Sequence, residues 1–197
     1  MSAEEEKQGA LVPVQSSALT RAGAKSLVAR GHDLLRQKEV AAAECHRKGL
    51  EFCEQERLVE AFQAFRRGIE IDPNEMKLQF AIGWCYSDGV GVERDYPKAA
   101  FWFRKAADQG HTAAQYLLGL VYYSGLGLDK DYGQAAHWFQ KAAAQGVPDA
   151  QAALGTSYWH GHGVSRDSER ATYWLRLAAN QGHREAQVAL TKLEATR

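Results

Sequence analysis

From position 76 onward, apolar and small residues fall into two alternating helical patterns. The first covers Lys77–Asp88 and carries Phe80, Gly83, Trp84 and Tyr86 at helical spacing, which predicts a helix, A, with one apolar side. Gly83 costs about 1 kcal/mol in helix propensity, so its place there predicts a close approach by a neighbouring helix. The second pattern places Ala99, Trp102, Phe103 and Ala106 at i, i+3, i+4 and i+7, the single buried stripe of a second helix, B. Between them, Asp88-Gly89-Val90-Gly91-Val92 ends helix A, and Val90 and Val92 tuck the loop onto the core. Asp95 then caps helix B, with Pro97 in its first turn, and Gly110 stands where a C-terminal cap belongs.

The same pattern returns every 36 positions. Gly83, Gly119 and Gly155 are spaced 36 apart (119 − 83 and 155 − 119), as are Asp95, Asp131 and Asp167, and Trp102, Trp138 and Trp174. Gln109-Gly110, Gln145-Gly146 and Gln181-Gly182 close successive units. Asp131 with Gln134 has the spacing of a capping box, which Arg170 breaks in the next unit. An ungapped period of this size is the mark of stacked helical hairpins, so the chain is expected to be all-α, an α-α solenoid.

Three units follow at 76–111, 112–147 and 148–183, and a capping helix is expected over 184–197. Upstream the period shortens, because Gly49 lies 34 before Gly83, giving a unit over 42–75. Residues 18–41 read as a separate helix through Leu27, Val28, Leu34 and Leu35, and the acidic residues 1–17 read as a disordered tail.

Charge narrows the functional classes. Lys plus Arg and Asp plus Glu both number 24, so the net charge is zero, and no basic stripe stands out. Neither a nucleic-acid partner nor membrane insertion is expected. The first residues lack the basic and apolar regions of a secretory signal, so a cytoplasmic location is expected. Cys45, Cys53 and Cys85 are too few, and odd in number, for a disulfide framework, and read as free thiols in or near the core.

No catalytic or cofactor motif stands out. There is neither a phosphate-binding Gly-Lys-Ser/Thr loop nor a Gly-x-Ser-x-Gly elbow. His160 and His162 could suggest a metal, but no third ligand is close in sequence. His111 and His183 hold equivalent places two units apart, too far to share an ion when helices pack about 8–10 Å from each other. Glu51 and Glu54 read as a solvated face. The expectation is therefore no metal, no cofactor and no enzyme activity.

The 36-residue units resemble Sel1-like repeats. The residues that carry the likeness are Leu118-Gly119, Tyr122, Gly125 and Gly127; Lys98-Ala99, Trp102, Lys105-Ala106-Ala107, Gln109-Gly110 and Ala114-Gln115; and Leu154-Gly155, Tyr158, Gly161 and Gly163-Val164. Ile82 in place of Leu, Leu128 in place of Val, and Arg176-Leu177 in place of Lys-Ala depart from the pattern. The 34-residue unit resembles a tetratricopeptide repeat at Phe52, Ala61, Phe65 and Pro73, with Gly68 where Ala is usual. The resemblance implies a right-handed superhelix of antiparallel helix pairs, of the kind that serves as an adaptor in bacterial signalling, envelope assembly, host interaction or quality control.

By the same resemblance, helix A lines a concave groove. The inward positions include Lys77, Phe80, Trp84 and Asp88; Tyr116, Leu120 and Tyr123; and Asp149, Ala152, Thr156, Trp159 and His160. Trp84, Leu120 and Thr156 are equivalent yet different, as are Ser87, Tyr123 and Trp159, whereas Tyr86, Tyr122, Tyr158 and Trp138 follow the family pattern and are expected in the core. The variable rings are the expected contacts for a peptide or partner helix. Two alternatives stand beside this adaptor reading. One is a hydrolase of the β-lactamase-like branch, whose cysteine pairs in helix B are absent here; the other is a structural role through self-association.

Overall fold

The computed structural model describes residues 16–195, and every regular element among them is a helix. By residue contact the chain divides after Val40. Up to that point it is helical from Ser16, and Leu27, Val28, Leu34 and Leu35 are exposed. The expected disordered tail lies outside the described residues except for its last two positions, which already begin helix α1 (Ser16–Glu54). Helix α1 is continuous, so no break separates the helix expected over 18–41 from the unit expected to start at 42. The physical reason is local. Arg36 through Lys48 contains no glycine or proline and consists largely of strong helix formers.

The unit from Ala41 onward is a stack of hairpins. After the end of α1 come α2 (Leu58–Ile71), α3 (Met76–Asp88), α4 (Tyr96–Asp108), α5 (Thr112–Ser124), α6 (Tyr132–Ala144), α7 (Pro148–His160), α8 (Ser168–Asn180) and α9 (Arg184–Ala195). Helix α3 pairs with α4, α5 with α6 and α7 with α8. The pairs stack through α4 on α5, α6 on α7 and α8 on α9.

Helix pairs close tightly because glycine stands at their contact. A Cβ on Gly83 would lie 2.7 Å from the Phe103 ring, one on Gly119 2.5 Å from Phe139, and one on Gly155 2.8 Å from Leu175. Phe103, Phe139 and Leu175 are fully buried in the gap that the missing side chains leave.

Helix ends are set by their own residues. Asp95, Asp131 and Asp167 each accept a first-turn backbone N–H, from Lys98, Gln134 and Arg170 respectively. The capping box expected at Asp131 is only half made. The Asp131 N–H donates instead to the Tyr122 carbonyl at 3.0 Å, as Asp95 N–H does to Tyr86 and Asp167 N–H to Tyr158. Each loop is thereby tied back to the helix it leaves. Gly89 ends α3 at φ 75°, and the same turn recurs at Gly125 and Gly161. Val90 is buried under the first loop.

The second glycine of each loop does different work. A Cβ on Gly91 would collide with the backbone at Leu58, one on Gly127 with that at Tyr96, and one on Gly163 with that at Tyr132. Each loop therefore lies directly on the start of helix B of the unit before it.

Candidate peptide-binding groove

Helices α3, α5, α7 and α9 occupy equivalent places in successive units. The inward positions of α5, α7 and α9 meet in a hollow of about 240 Å³. Tyr116, Leu120 and Tyr123 form one wall, Asp149, Ala152 and Thr156 another, and Glu185 and Ala189 a third. Of the residues expected from sequence, Tyr116, Leu120, Tyr123, Asp149, Ala152 and Thr156 are brought together here.

The others are placed apart from this hollow. Lys77 and Asp88 are exposed at the two ends of α3. Phe80 is half-buried and stacks on His111, with centroids 4.3 Å apart and planes at 19°. Trp84 is half-buried where two hydrophobic clusters adjoin. Trp159 and His160, themselves stacked at 5.1 Å, line a second, shallower hollow with Arg184, Glu185, Val188 and Lys192.

The rings constant across the units behave differently. Tyr122, Tyr158 and Trp138 are buried, and Tyr86 is half-buried. A cation lies over each of the three tyrosines: Lys98 over Tyr86, Arg104 over Tyr122 and Arg170 over Tyr158. The Arg104 guanidinium also donates to the Tyr122 hydroxyl. Tyr122, Tyr158 and Trp138 belong to the framework, whereas Phe80, Trp84, Tyr116, Tyr123 and Trp159, like Tyr86, keep a solvent-facing side.

His160 and His162 are spent on ring contacts. Their rings stack at 5.5 Å, His162 stacks on Tyr132 at 4.8 Å, and its Nδ1 lies 3.3 Å from the Tyr123 hydroxyl. Among the described residues no three metal-binding side chains converge. His111 and His183 serve as helix caps. Nδ1 of each accepts a backbone N–H, from Ala114 and Ala186 respectively. Cys85 is buried, and burial pushes its thiol up to about 12, with Cys53 and Asp88 adding to the shift; such a thiol is inert at neutral pH. Cys45 and Cys53 are free and half-buried.

Helix α9 was missing from the expected groove. Its residues continue the same register, since Glu185 lies 36 after Asp149 and Val188 lies 36 after Ala152. That spacing was the available signal. A segment read only as a cap also walls the hollow, through Glu185, Ala186 and Ala189.

The Sel1 repeat model matches residues 77–111, 112–147 and 148–183, more than half of the chain. The match coincides with the three hairpins α3–α4, α5–α6 and α7–α8. Among solved structures, a protective antigen of uropathogenic Escherichia coli displaying an SLR fold is 32% identical, with TM-score 0.71 over 79% of this chain and 34% of that one. A Sel1 repeat protein from Oxalobacter formigenes is 34% identical, with TM-score 0.69 over 77% of this chain and 62% of that one. The chain thus aligns with about a third of the first and under two thirds of the second. Cysteine rich protein B of Helicobacter pylori, 23% identical with TM-score 0.52 over 68% of this chain and 95% of that one, shares the fold. A search of curated proteins finds no match. With the repeat boundaries, the paired glycines and the looped-back caps all falling where the family model places its units, the chain belongs to the Sel1 repeat family.

Proposed function

We propose that the chain is a protein-interaction adaptor that holds an extended peptide or a partner helix along the groove formed by α3, α5, α7 and α9, with residues 42–75 as a tetratricopeptide-type first repeat. One observation carries the reading. The rings that vary between units, Trp84, Tyr123 and Trp159, are left half-exposed along the A helices, while of the constant tyrosines there Tyr122 and Tyr158 are buried and Tyr86 is half-buried. Variation in a framework position would disturb packing, whereas variation in a groove position changes what is bound. The groove offers rings, hydroxyls and carboxylates held by rigid helices, which suits binding rather than turnover, and the balanced charge favours a protein partner over nucleic acid. No described helix is long and apolar enough to cross a membrane, and we place the adaptor in the cytoplasm of a bacterium.

The test is affinity capture with the full chain against variants Trp84→Ala, Tyr123→Ala and Trp159→Ala. Hot-spot rings are worth about 2 kcal/mol or more, so partners bound in the groove should be lost roughly 30-fold from at least one variant. Partners retained equally by all three would overturn the reading. Light scattering on the free chain separates self-association from adaptor binding.

A further inference from the structure

The hollow between α5, α7 and α9 is sided in charge as well as shape. Two carboxylates stand at it, Asp149 and Glu185, at the same register of consecutive A helices. No lysine or arginine is among the residues that line it. The equivalent position is Lys77 in α3 and Ala113 in α5, so the acidic pair is confined to this end of the groove.

The histidine at the hollow does not cancel that charge. His183 Nδ1 accepts the Ala186 N–H at 3.1 Å, so the ring proton sits on Nε2, which donates to the Asp149 carboxylate at 3.1 Å. The contact holds one edge of Asp149, while more than half of its side chain stays open to solvent. The Tyr116 phenol registers the same field. Burial raises its pKa, and Asp149 and Glu185 raise it further.

We propose that this hollow receives a basic side chain of the bound peptide, arginine in preference to lysine. A guanidinium can lie flat against the rings of Tyr116 and Tyr123 while its edge faces the two carboxylates, and its planar, weakly hydrated head loses less on leaving water than an ammonium does. The apolar floor of Leu120, Ala152 and Ala189 takes the methylene stem.

This inference rests on the groove being a peptide-binding surface, and the experiment separates the two. The full chain is titrated by fluorescence polarisation into end-blocked, labelled peptide pools of mixed Ala, Leu, Ser and Tyr, with one central position fixed as Arg, Lys, citrulline or Glu. Citrulline keeps the shape of arginine without its charge. The Arg pool is expected to bind about tenfold tighter than the citrulline pool, with Lys between them and Glu weakest. In the double variant Asp149→Asn, Glu185→Gln that preference should fall to roughly threefold or less. The amide introduced by Asp149→Asn can still accept from His183 Nε2, and an unchanged thermal melt checks that the fold is intact. Pools that bind without regard to charge, or an Arg preference that survives the double variant, would overturn the basic-side-chain proposal and leave the peptide groove standing. Absence of binding by every pool would overturn both.

Discussion

The side-chain amide of Gln145 donates to the carbonyl oxygen of Gln115 at 2.8 Å, joining two residues 30 positions apart. The pair is one rung of a ladder. Gln109 donates to Gln79 at 2.9 Å and Gln181 to Gln151 at 2.8 Å. Gln115 and Gln151 also donate to the Ala107 and Ala143 carbonyls at the end of the preceding B helix. A glutamine at the start of each A helix thus ties together the unit before it and its own unit's last turn. Gln79, Gln115 and Gln151 are all buried, so each depends on these partners.

Replacing Gln145 with Ala leaves the buried Gln115 oxygen without its donor. The expected loss is about 1–3 kcal/mol, read as a fall of several degrees in the thermal midpoint. A double-mutant cycle with Gln115→Leu should show strong coupling, and additive losses would mean that the rung contributes nothing.

Glycine to alanine should act in opposite directions at two helical sites. Gly31 in α1 has no atom within 4 Å of where a Cβ would stand, so Gly31→Ala is expected to raise helix stability by about 0.5–1 kcal/mol. Gly119→Ala would drive a methyl group into the Phe139 ring and should cost about 1–3 kcal/mol. Hydrogen exchange in α1 and global thermal unfolding measure the two effects separately.

Acid should loosen the stack around α5. His111 caps α5 through a bare Nδ1 and stacks on Phe80. Burial lowers its pKa, and of the charges facing it Glu75 opposes that shift while Lys77 and His46 add to it. Burial likewise lowers the pKa of His46, with Glu75 opposing and Lys77 adding. Both groups bind protons more readily unfolded than folded. Their contribution is complete above the ordinary histidine pKa of about 6.5 and is lost as pH falls through the lowered folded values. Denaturant midpoints should therefore drop between neutral pH and about pH 5. His111→Asn keeps a capping side chain and should shrink the dependence; an unchanged slope would show that the cap does not titrate.

Rings outside the groove should not matter for binding. Tyr173 on α8 is exposed, with Trp174 edge-on beside it at 5.1 Å. Tyr173→Ala should leave captured partners unchanged, while Tyr123→Ala weakens them about 30-fold. Equal losses from both would place the binding surface elsewhere on the stack.

Much of this architecture was written in local sequence. Asp95, Asp131 and Asp167 mark helix starts because a side-chain oxygen one residue ahead of a helix meets its first free N–H groups, whatever lies beyond. Gly83, Gly119 and Gly155 announced a close helix contact because a residue so poor in helix propensity recurs at one place in three successive helices. The 36-residue period then fixed the number of hairpins and which positions are equivalent. The family resemblance, rather than the period, supplied the positions of α5 and α7 that line the hollow, Tyr116, Leu120, Tyr123, Asp149, Ala152 and Thr156.

The tertiary structure decided what periodicity cannot express. A repeat shows that Gln115 and Gln145 recur, but not that they meet, because their contact depends on how one hairpin rotates onto the next. The second loop glycines seat on the helix of the preceding unit for the same reason, through backbone contacts that leave no hydrophobic pattern. Helix α1 runs on past position 41 because unbroken helix formers favour continuation over a turn there. Asp149, His183 and Glu185 converge only when α9 packs as a fourth A helix, since three residues spread over 36 positions become neighbours through stacking alone.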